Sequence, residues 1–90
     1  MSRVYGVSYD LRKPGRDYSA LYKLLTSYST WCHVVESNWL VYTSETAEQI
    51  CDRIAKVVDS NDRVFVAAMT TPAAWQWFPQ DVRAWLKKYL

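Results

Sequence analysis

The chain has 90 residues, the length of a single domain. Half of them are hydrophobic and 22% are charged, which excludes an intrinsically disordered chain. A net charge of +2 excludes a polybasic tail or an acidic solvating segment.

Aromatics make up 16% of the residues, and large rings bury much area per residue. They help a chain short enough to bury only a little over ~60% of its unfolded surface. No apolar run approaches the roughly 20 residues of a membrane span. The N-terminus carries no signal-peptide pattern, so a cytoplasmic protein without membrane contact is expected. Cys32 and Cys51 fit no metal or redox motif, and two reduced, mostly buried thiols are the expectation.

Residues 4–11 read as a strand rich in Val and Tyr. Its period of two separates a bulky set (Tyr5, Val7, Tyr9, Leu11) from a small set that becomes polar (Val4, Gly6, Ser8, Asp10). The bulky set should meet covering helices, and the small set leaves room for something else to approach. Residues 12–16 (RKPGR) form a turn by their Pro-Gly pair. Asp17 can cap an amphipathic helix carrying Tyr18, Leu21, Tyr22, Leu24, Leu25 and Tyr28.

Residues 31–36 and 39–43 are strand-like, with Ser37 and Asn38 as the hairpin loop. Thr46 followed by Gln49 is a capping box, and Ile50, Ile54, Val57 and Val58 are the stripe of a second helix. Asp59-Ser60-Asn61-Asp62 ends it as a polar turn. Residues 63–69 are apolar enough to predict an interior strand. Pro79 suits the first turn of a short helix over residues 80–89, with Val82, Trp85, Leu86 and Tyr89 on one face. Trp75, Trp77 and Phe78, just before it, can stack bases or staple the helix to the core. The staple is the simpler use of three clustered rings.

The order β-α-β-β-α-β with a Trp-rich C-terminal segment and short helix is the α+β, ferredoxin-like arrangement, here in one domain. Many activities share that fold, so function must come from sites. Charge is uneven: residues 1–28 carry +3, residues 29–62 carry −4 and residues 63–90 carry +3. Arg12, Lys13 and Arg16 are the one dense basic cluster, fit for phosphate contacts or simply a solvated turn.

Asp10 ends the first strand on its small-residue face. A carboxylate there can hold Mg²⁺ together with water and phosphate oxygens, or accept turn amides. One Asp per chain is thin for a metal site, and a two-fold dimer would bring two together. His33 is the single histidine, with no Ser or Cys at motif spacing, so packing explains it better than base catalysis. Glu36 and Glu48 form no recognisable carboxylate pair. No Gly-rich phosphate loop and no zinc pattern is present.

The segments SYDLRKPGRDYSALYKLL (8–25), WCHVVESNWLV (31–41), SNDRVFVA (60–67) and the W-x-W-F-P-Q-D-V-x-x-W-L-K ending (75–87) together resemble the SinR-like proteins. That family is similar to the Cas-two subunit of CRISPR adaptation and, more distantly, to the VapD toxins. The resemblance implies a ferredoxin-like homodimer with two facing sheets. It also implies that Asp10, at the dimer cleft, is the catalytic residue and Mg²⁺ ligand of an RNA- or DNA-cleaving endonuclease. Only Asp10 carries over. The Arg and the Ser-Val-Phe run that the Cas-two relatives place around their second strand are missing from residues 31–37, which points away from spacer integration. The alternative is a non-catalytic dimeric module that binds nucleic acid or protein in a defence, toxin or phage system.

Overall fold

A computed structural model describes every residue except Pro14 and Arg16. The elements run β1 (Arg3–Asp10), α1 (Ser19–Thr26), β2 (Thr30–Val35), β3 (Asn38–Thr43), α2 (Ala47–Ala55), β4 (Arg63–Ala68) and α3 (Gln80–Tyr89). The strands form one sheet in the order β2-β3-β1-β4, with every neighbouring pair antiparallel. This small α+β architecture is compatible with the ferredoxin-like class. No helix among the described residues is long and apolar enough to cross a membrane.

β1 sorts its side chains as its alternation predicts. Tyr5, Val7 and Tyr9 join Trp39 and Val41 of β3 beneath Leu21 and Leu25 of α1 and Ile50 and Ile54 of α2. These nine side chains are all under a tenth exposed and form the main core. The covering helices are set by local chemistry. The Thr46 hydroxyl accepts the Gln49 amide, and the Gln49 side chain accepts the Thr46 amide, so both capping-box bonds form. Asp17 accepts the Ser19 amide at the start of α1 and sits one position before the cap residue, Tyr18. That bond holds the Asp17 carboxyl below its usual range.

The opposite face is covered by the chain's own C-terminus. Val4, Cys32 and Leu40 pack against Val82 and Leu86 of α3, with Trp75, Phe78, Trp85 and Tyr89 around them. The Trp85 indole N–H donates to Thr30 Oγ1 at 3.0 Å, tying α3 to β2. α3 thus fills the β2–β3 half of this face. Next to it, Met69 lies over Gly6, where an added Cβ would stand 2.9 Å from the methionine methyl carbon.

Two expectations need correction. β4 is an edge strand rather than an interior one. Val64 and Val66 pack on the main core, but Phe65, on the other side of the same strand, is 68% exposed. The run is apolar on both faces although one chain covers just one of them. The aromatic staple also holds only in part: Trp75, Phe78 and Trp85 pack, whereas Trp77 is 95% exposed with φ 67°. Smaller shifts affect the ends. The hairpin loop is Glu36-Ser37 rather than Ser37-Asn38, and Val57 and Val58 lie past the end of α2.

Candidate functional site

The C-terminal end of β1 gathers the residues singled out from sequence. Asp10 is exposed there and pairs with Arg12 at 3.0 Å. Across the ladder it stands opposite Arg63 of β4. Ser8, Tyr9, Asp10, Arg63, Val64 and Phe65 line a shallow hollow of about 270 Å³. A second cleft of about 260 Å³ joins Asp10 to Tyr9, Leu11, Tyr22, Glu36 and Ser37. Glu36 enters this cleft from the β2–β3 loop, held by the Tyr9 hydroxyl, which donates to the Glu36 carbonyl at 3.1 Å. No periodicity links residues 10 and 36, so only the folded sheet brings their carboxylates to one opening.

Tyr9 is the pivot beneath the site. Its hydroxyl accepts the Trp39 indole N–H at 3.0 Å while donating to Glu36. Burial pushes its pKa up to about 12, so it stays a neutral phenol. On the open face, Ser8 Oγ donates to Asn38 Oδ1 at 2.9 Å.

The basic loop is largely occupied with its own carboxylates. Arg12 pairs with Asp10, and Lys13 reaches Asp59 at 3.6 Å. Arg16 lies outside the described residues. The exposed Arg12–Asp10 pair contributes ~0–1 kcal/mol, so Arg12 can be exchanged onto a phosphate at little cost, whereas the Asp59 carboxylate that Lys13 meets is largely buried. His33 stacks on Trp39, ring centroids 3.9 Å apart and 11° from parallel, and its Nε2 lies 3.0 Å from the Glu36 carbonyl. It packs and braces the hairpin. Cys32 is buried under α3 and Cys51 is half-buried, both as free thiols, and burial pushes the Cys32 pKa up.

Among the described residues of one chain, no group of three or more His, Cys, Asp or Glu side chains converges on a metal position. The exposed Asp10 carboxylate is nonetheless a hard oxygen donor of the type Mg²⁺ takes. That ion commonly binds through one or two carboxylates, with water and phosphate oxygens completing its shell. No protein-family model matches the chain, and neither a curated protein nor a solved structure matches it significantly.

Proposed function

We propose that this chain is a SinR-like, Cas-two-like homodimer of ferredoxin-like topology whose paired sheets form a cleft for nucleic acid. The observation that carries this reading is the open stretch of sheet along β4 and the C-terminal end of β1. There Phe65 is 68% exposed, beside Ser8 and with Asp10 at the strand end. A second copy laid on this stretch buries the ring and brings the two Asp10 side chains toward one axis. In this reading Asp10 holds Mg²⁺, which when bound supplies charge to polarise a phosphodiester and acidify water. Arg12 and Arg63 flank Asp10 and present guanidinium forks to phosphate oxygens.

The Asp10–Arg12 ion pair favours a second reading, in which the same dimer binds nucleic acid without cutting it. One experiment separates the two. Mixed RNA and DNA are incubated with wild type and Asp10→Asn, in Mg²⁺ or EDTA. Cleavage that needs Mg²⁺ and disappears in Asp10→Asn supports the nuclease. Intact substrate that still comigrates with wild-type protein supports the binding module. Equal cleavage by both proteins sinks the role of Asp10.

A further inference from the structure

We infer that Trp77 and the outward face of α3 form a binding surface for single-stranded nucleic acid, apart from the Asp10 site and independent of its chemistry. Three rings fall within four residues, and the fold uses two of them. Trp75 and Phe78 pack on the second core cluster, while Trp77 between them is 95% exposed. Its φ of 67° lies in the left-handed region, which favours Gly and Asn and disfavours a bulky side chain. A left-handed Trp works against folding and an indole left in water adds nothing to it, so the fold does not account for this residue. A strained, exposed aromatic is the kind of feature that function retains.

The neighbouring helix supplies the complementary charge. α3 turns Val82, Trp85, Leu86 and Tyr89 inward, which leaves Gln80, Arg83, Ala84 and Lys87 to line an outward groove of about 310 Å³. The one acidic residue of α3, Asp81, lines a different groove, with Trp31, His33 and Trp85 at the β2 edge. The outward groove therefore carries positive charge alone. Arg83 and Lys87 stand about one helical turn apart, ~5–6 Å, comparable with the step between neighbouring phosphates of an extended strand. Trp77 precedes Gln80 by three residues, so its backbone lies within ~11 Å of the groove's first residue. A ring for one base on the segment leading into two cations for the backbone is the kind of arrangement by which proteins hold single strands without reading sequence. The exposed flat ring and the unopposed cations favour this ligand over an apolar protein partner.

The test uses fluorescein-labelled twelve-nucleotide oligouridine and oligothymidine, with binding read by anisotropy at low salt. EDTA is present throughout, so cleavage at Asp10 plays no part and failure here leaves that reading untouched. Wild type should bind both, with quenching of tryptophan emission. Trp77→Ala should weaken binding about tenfold and lose most of the quenching, whereas Trp77→Phe keeps most of the affinity. Arg83→Gln with Lys87→Gln should lower the slope of log affinity against log salt by about 1.4. All variants should keep the wild-type melting temperature and mass in solution. Absence of wild-type binding, or unchanged affinity in Trp77→Ala, overturns the proposal. So does a Trp77→Ala protein that changes mass, which makes the ring a contact between copies.

Discussion

Asp62 joins two loops far apart in sequence. Its Oδ1 accepts the Arg12 amide at 2.6 Å and the Tyr18 hydroxyl at 3.0 Å, and its Oδ2 accepts the Asp59 amide at 2.7 Å. It therefore fixes the chain just after Asp10 against the turn before β4. Asp62→Ala should lower stability by about 1–3 kcal/mol in chemical denaturation, with Asp62→Asn in between, because amide donors lose a charged acceptor. Tyr9 makes a second residue-level prediction. Its folded pKa is raised to about 12 from 10.0, so the unfolded chain ionises first as pH rises. The stabilisation is complete below pH 10 and is lost as pH climbs through 10 to about 12. Melting temperature should fall over that window, and Tyr9→Phe should flatten the fall while lowering stability at neutral pH.

α3 behaves as a lid packed by its own chain. Leu86 is 4% exposed and covers Cys32 together with Val82. Leu86→Ala should cost about 2–4 kcal/mol, the range for a leucine deleted from a packed core. A thiol reagent reports the same contact. In the native protein the half-buried Cys51 should react before Cys32, and removing residues 75–90 should make Cys32 fast. Fast Cys32 labelling in the intact chain would mean that α3 does not cover β2. α2 depends more on its start than on its length. Thr46→Ala removes the acceptor for the Gln49 amide and should cost about 1 kcal/mol by thermal or chemical denaturation.

One face of the sheet is covered by α1 and α2 except along the β2 edge, where Trp31 and Val35 stay exposed, and the other is covered by α3 over β2, β3 and the start of β1. The remainder, around Phe65 and Met69 on the β4 side, is too apolar to be a comfortable solvent surface. A stable pair of copies buries roughly 800 Å² on each, and the exposed Phe65 and Met69 mark where a second copy would sit. Phe65→Glu should therefore shift a dimer to monomer in sedimentation at tens of micromolar protein, with the monomer still folded by circular dichroism. A wild-type monomer at that concentration sinks the paired-sheet reading.

Features that depend on neighbours along the chain were legible in the sequence. The capping box at Thr46 and Gln49, the bounds of α3 after Pro79, and the split of β1 into bulky and small sides follow from hydrogen-bond reach and periodicity over a few residues. Tertiary structure decided whatever depends on which surfaces meet. An apolar strand reads the same at an edge as in the interior, so the position of β4 needed the sheet order. Trp75, Trp77 and Phe78 are near-equivalent as rings, and only the path of the loop into α3 buries two and leaves Trp77 out. Arg12 reaches Asp10 within the end of β1 itself, but Lys13 meets Asp59 only because the fold sets the end of β1 beside the turn before β4. Glu36 came to the Asp10 cleft by the same route, because strand pairing joins residues that no local pattern connects.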